Sequence, residues 1–234
     1  MKFLWLSLLA AAPLASAQGY EMKSYLNLNG PQPAAFWCDA PGRVLAVTQP
    51  VVQPAQMTNQ PQPVRLVQWT GPSHTWQNYQ LGPADPGAGQ IYTALTPAGQ
   101  QVSDSPQYFI HSSNIENVND PGYRMTHING FKVPAGTFGC RYKPNAAFIG
   151  ATARHSITVW ETGSKVTYSS SNRDGTAGTY LTGGSHIGSE YRWNRNGYTY
   201  ALKLDDPGAT LSVLRGDKLL SKETFQAYSV SVRK

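Results

Sequence analysis

Apolar and polar residues alternate through most of residues 155–215, and this constrains the fold more than any other feature of the chain. Ile157 and Val159 fall on one side of the repeat, with Ser156, Thr158 and Trp160 on the other. Tyr198, Tyr200, Leu202 and Leu204 repeat the pattern opposite Thr199, Ala201 and Lys203. A period of two sends successive side chains to opposite faces of a β-strand. The interruptions carry turn chemistry, as at Asp174-Gly175, Gly183-Gly184, Asn196-Gly197 and Asp206-Pro207-Gly208. Such pairs accept the backbone conformations that tight hairpins need. The segment reads as an antiparallel meander.

The rest of the chain supports the same class. It holds 22 Gly and 17 Pro, spread throughout, and no long amphipathic helical pattern. Short strands are expected at 36–38, 43–48, 64–69, 91–95, 107–111, 123–128 and 137–142, with a strand pair or short helix over 218–232. Residues 18–33 read as an arm whose Tyr25, Leu26 and Leu28 add an edge strand. Residues 49–63 are rich in Gln and Pro and read as an extended loop, because proline cannot donate to a ladder. Residues 71–89 also read as loop, and Asn119-Asp120-Pro121-Gly122 as a turn. The expected fold is all-β, an antiparallel meander forming a sandwich or barrel. It is either one large domain or two small β domains joined by a disulfide. The boundary falls near Val133, separating an N-terminal β region (18–133) from a C-terminal antiparallel domain (134–234).

The first residues set the expected compartment. Lys2, the apolar run over residues 4–14 and Ala15-Ser16-Ala17 match a secretory signal peptide over residues 1–17. No later run approaches the ~20 apolar residues that a spanning helix needs. The expected locations are therefore the periplasm, the cell envelope or the extracellular space. In such a setting two cysteines, Cys38 and Cys140, favour a disulfide, which would tie the two halves together.

The formal net charge is +6, but charged residues are only 14% of the chain and the basic ones are scattered. Arg192, Arg195 and Lys203 lie near Tyr191 and Trp193, an interleaving that suits an acidic polymer or protein. Export argues against nucleic acid. With six Trp and thirteen Tyr, the chain is well supplied with rigid contact area. Trp160, Tyr191, Arg192, Trp193, Arg195 and Tyr198 are the expected binding residues. The expected partner is an envelope protein, a cell-wall glycan or a foreign lysozyme, or else a larger surface assembly that holds the chain as a subunit.

Catalytic signals are weak. Gly-x-Ser-x-Gly is absent, and Ser185 and Ser189 precede no helix that would make a nucleophile elbow. Asp205-Asp206 precede Pro207-Gly208 and read as a turn rather than a glycosidase pair. The five histidines show neither His-x-His nor His-x-x-x-His spacing. A β scaffold can still gather distant imidazoles, which suit copper or zinc. His111, His127, His155 and His186 are then the expected ligands, since they fall at strand ends or turns. The rival reading is an exported copper-dependent oxidoreductase, similar to superoxide dismutases.

Phe138-Gly139-Cys140, the strands over 157–160 and 165–168, and Ile187-Gly188-Ser189-Glu190-Tyr191 stand in a telling order. In this the C-terminal half resembles the small β-barrel lysozyme inhibitors of bacterial envelopes. Aromatic-x-Cys opens those domains, and it also opens the N-terminal half here, at Phe36-Trp37-Cys38. The resemblance implies a barrel whose Ser/Gly-rich loop, residues 185–192, enters an acidic cleft. It departs from that family at Phe225, near where a second Cys is usual, and in its Gly-Ser-Glu-Tyr loop.

Overall fold

A computed structural model describes residues 19–51, 60–103, 105–113 and 123–233. The expected signal peptide, most of the Gln/Pro-rich segment and the turn at 119–122 lie outside the described residues.

The fold is all-β, with every ladder antiparallel and the sheet not closed. The N-terminal half contributes β1 (Tyr20–Asn27), β2 (Pro31–Ala40), β3 (Arg43–Thr48), β4 (Gln62–Thr70), β5 (Ser73–Gly87), β6 (Gln90–Pro97), β7 (Phe109–Ser113), β8 (His127–Val133) and β9 (Gly136–Gly139). The C-terminal half contributes β10 (Ala146–Ala151), β11 (His155–Thr162), β12 (Lys165–Asn172), β13 (Tyr180–Ile187), β14 (Glu190–Arg195), β15 (Tyr198–Asp205), β16 (Gly208–Arg215), β17 (Lys218–Thr224) and β18 (Ala227–Arg233). Strands β2 to β9 pair in succession, and so do β10 to β17.

Each half rolls around its own core. Leu45, Val47, Leu66, Leu81, Leu95, Ile110 and Phe131 fill the N-terminal roll. Ile157, Val159, Tyr168, Tyr191, Trp193, Leu202 and Leu211 fill the C-terminal one. A third core lies between them, because β3 and β4 are apolar on both faces. Val44, Ala46, Val67 and Trp69 point away from the N-terminal roll and meet Leu26, Ile149 and Ala227. A strand buried on both sides reads as a continuous apolar run, as Val44-Leu45-Ala46-Val47 does.

β1 is no edge strand. It pairs with β18 on one side and with β2 on the other, while β18 also pairs with β10. Its alternation serves two cores: Leu26 enters the central one, and Tyr25 stacks on Tyr228 beside the C-terminal one. The last segment is a pair of strands, β17 and β18, and contains no helix. The segment expected to be loop over 71–89 is largely β5. Its first half, from Ser73 to Asn78, is exposed on both faces, so it lacks the apolar alternation that marks a strand. Gly82, at φ +95°, lies in the register shift where β5 bends toward β6. Gln62 and Pro63, expected in a loop, open β4 instead, since only the first residues of a strand tolerate proline there.

The disulfide is present. Cys38 in β2 joins Cys140 across a sequence separation of 102. Cys140 directly follows β9, which pairs with β8 and lies near β2. The bond therefore staples the end of the N-terminal roll back to its start, and the chain crosses to the other roll immediately afterwards.

Candidate functional site

The crossing is held by charge. Asp39 follows Cys38 and Arg141 follows Cys140, so the disulfide brings the two side by side. The Asp39 side chain is 3% exposed and accepts from Arg141 Nε at 2.7 Å and from Arg173 Nη1. Arg141 also donates to Thr158 Oγ1 at 2.6 Å and to the carbonyls of Ile157 and Gly150. Arg173 reaches the carbonyl of Ala40. One carboxylate of the N-terminal roll is thus clasped by two guanidiniums, one at the crossover and one in the loop after β12. Ser156 and Thr158 alternate with core-facing Ile157 and Val159, and they complete the polar lining on the outer face of β11. A cleft of about 460 Å³ opens beside this cluster, lined by Pro41, Gly42, Asn172 and Arg173 among others.

A second cleft of about 420 Å³ adjoins it, lined by Arg154 and His155. Behind these residues stands Glu223, which accepts from Thr152 Oγ1 at 2.6 Å, His155 Nδ1 at 3.0 Å and Arg154 Nη2 at 3.0 Å. Burial works to raise the Glu223 carboxyl. The hydrogen bonds from His155 and Thr152 and the charges of His155 and Arg154 outweigh it and bring the pKa down to about 2 from 4.5. A folded value below the unfolded one stabilises the fold above the unfolded pKa, and that stability is lost as pH falls through the folded value. We expect the free energy of unfolding to fall between about pH 5 and pH 2, and more steeply than in Glu223→Gln, measured by urea denaturation at each pH.

The expected binding residues separate into two groups. Tyr191 and Trp193, expected on a contact surface, are 2% and 1% exposed and belong to the C-terminal core. The alternation in β14 turns both inward and leaves Arg192 outward. The Trp193 indole donates to the Val166 carbonyl. It also packs so closely on β13 that a Cβ at Gly184 would lie 2.2 Å from Nε1, so only glycine fits there. Burial raises the Tyr191 hydroxyl pKa, and the Glu161 charge raises it further against an opposing effect of Arg124. Arg192, Arg195, Trp160 and Tyr198 retain exposure. Arg192 pairs with Glu190, Arg195 donates to the Tyr180 carbonyl, Trp160 donates to the Pro144 carbonyl, and Arg215 lies over Tyr198.

The histidines do not converge. His111 bonds Gln90 and stacks on Tyr92; His127 stacks on Tyr142. His155 bonds Glu223, and His186 bonds Glu161 at 2.9 Å. Among the described residues no three His, Cys, Asp or Glu side chains gather in a way that would hold a metal ion.

The β13–β14 hairpin is the clearest presentation of an apolar group. Ser185, His186 and Ile187 pair with Arg192, Tyr191 and Glu190 around the turn Gly188-Ser189. Gly188 has φ +60°, a conformation that glycine adopts without penalty at the first turn position. Ile187 at this tip is 77% exposed. The residues beside the turn are tied to the body of the roll: the His186 ring stacks 3.9 Å from buried Tyr191, and Glu161 holds both His186 and Arg124. The polar groups flanking this turn are engaged within the chain, His186 by Glu161 and Arg192 by Glu190.

The fold and these sites define a disulfide-stapled protein of two β-rolls with a preformed, projecting hairpin. No protein-family model matches the chain, and neither does any curated protein.

Proposed function

We propose that the chain is an exported envelope protein that works by binding another protein through the β13–β14 hairpin. The observation that carries this reading is Ile187, exposed beside a turn whose flank is held by the stack of His186 on buried Tyr191 and by the hydrogen bond of His186 to Glu161. A group held rigidly before contact loses little conformational entropy on binding. The internal pairing of His186 and Arg192 favours an apolar anchor in a protein pocket over neutralisation of an anionic polymer. The resemblance of this half to lysozyme inhibitors makes the cleft of a lysozyme the first pocket to try.

Photo-crosslinking from position 187 in the native cell should give a discrete protein adduct that a crosslinker at Asp217 does not give. The intact protein should inhibit a c-type lysozyme, and Ile187→Asp should weaken binding about tenfold or more, the scale of one buried apolar anchor. Absence of any adduct overturns the reading. An adduct without lysozyme inhibition replaces the lysozyme with an envelope partner.

A further inference from the structure

The N-terminal roll carries a second exposed feature, far in sequence from the hairpin. Thr93, Leu95 and Ile110 point into the roll and are buried. Of the alternate positions, Tyr92 on β6 and Phe109 and His111 on β7 carry rings and retain exposure, whereas Ala94 and Thr96 are buried. Tyr92 and His111 are cross-strand partners whose rings stack 4.5 Å apart at an interplanar angle of 4°. Phe109 meets Tyr92 edge-on at 5.2 Å, and Lys132 from β8 lies over Phe109 at 5.5 Å. A continuous aromatic strip thus crosses β6 and β7 and is closed at its β8 end by an ammonium group.

Polar groups surround this strip. Gln90 Oε1 and His111 Nε2 share a hydrogen bond, which fixes the His111 ring. Asp85 on β5 is the register partner of Tyr92 and is exposed. Tyr92 is the most exposed of the aromatics, at 37%, while Phe109 and His111 are half-buried. The exposed apolar area is therefore small. A stable protein interface needs about 800 Å² on each partner with an apolar centre, and the strip offers far less. It matches one or two sugar rings, whose C–H faces lie on aromatic rings while their hydroxyls reach flanking donors and acceptors.

We infer that Tyr92, Phe109 and His111 form a saccharide-binding platform, with Gln90, Asp85 and Lys132 as its polar rim. The ligand class is a pyranose polysaccharide of the cell wall, recognised through its sugar rings. The platform acts independently of the hairpin and would hold the protein at the wall while the other roll engages its partner.

The test is isothermal titration of the full mature protein with chitohexaose, cellohexaose and laminarihexaose, together with a pull-down on purified peptidoglycan sacculi. At least one should bind with a dissociation constant in the micromolar to millimolar range. Tyr92→Ala should weaken that binding at least tenfold, and Ile187→Asp should leave it unchanged. In the wild-type protein, NMR resonances of the Tyr92 and His111 rings should shift on titration, a readout that does not depend on any variant folding. Absence of binding to all four probes overturns the inference. So does binding that leaves those rings unshifted, and neither result bears on crosslinking from position 187.

Discussion

Asp39→Ala should lower the free energy of unfolding by about 3–5 kcal/mol, the usual cost of removing one partner from a buried ion pair. The reason is geometric. Arg141 and Arg173 both point at one carboxylate that is 3% exposed, and their own side chains are only 20% and 12% exposed. Without Asp39 the two guanidiniums lose the carboxylate they share and face each other beside the cleft they line. Asp39→Asn should cost less, because the amide oxygen still accepts one hydrogen bond and the volume is kept. Urea denaturation of both variants measures the effect, and a loss under about 1 kcal/mol for Asp39→Ala would place the cluster among solvated surface pairs. Fluorescence of Trp37 and Trp69 in the central core reports whether the rolls part before either one unfolds.

The double variant Cys38→Ala, Cys140→Ala should lose a similar amount, about 4–5 kcal/mol, on loop-entropy grounds for a closed loop of this length. That approaches the whole stability of many domains, roughly 5–15 kcal/mol. The bond ties β2 to the residue after β9, so its loss frees the seam of the N-terminal roll rather than the contact between rolls. It also frees Asp39 and Arg141 from their enforced proximity. The two perturbations should therefore be non-additive: the triple variant should lose less than the sum of the separate losses, since the sites are adjacent and share partners. Guanidinium denaturation of the three proteins checks this. Strict additivity would mean that the cluster and the disulfide stabilise the protein separately.

The meander was legible because residues on β11, β12, β15 and β16 have one wet and one dry face, so period two is written directly in the side chains. The disulfide was legible from the compartment that the first residues imply. β5 was not, since its first half is exposed on both faces and has no apolar phase to read. β1 reads as an edge in the sequence because its main partner, β18, lies some two hundred residues away and nothing local announces the pairing. Tyr191 and Trp193 read as surface residues because they alternate with arginine. Alternation says that neighbours face opposite ways but not which face is the inner one, and here Leu202 and Leu211 settle it for the aromatics. The Asp39–Arg141 pair did leave a trace. Each follows a cysteine, and pairing Cys38 with Cys140 sets an acid beside a base. Arg173 left none, because it reaches Asp39 only after β12 has folded.

The pairing of β1 with β18 bears on the order in which the chain can assemble. A chain emerging from its N-terminus presents residues 20–27 early, yet their main hydrogen-bonding partner, β18, follows some two hundred residues later. Strands β2 to β9 can close on one another as hairpins while the rest is still absent. The central core cannot form then, because Leu26, Trp37 and Trp69 wait for Ala146, Ile149 and Ala227. Non-local pairing of this kind folds slowly. The N-terminal roll would therefore exist for a time as a separate body with one apolar flank uncovered, the condition under which partly folded chains associate wrongly. β18 both pairs with β10 of the C-terminal roll and helps cover that flank, so the two rolls become a single cooperative unit only once it has been made.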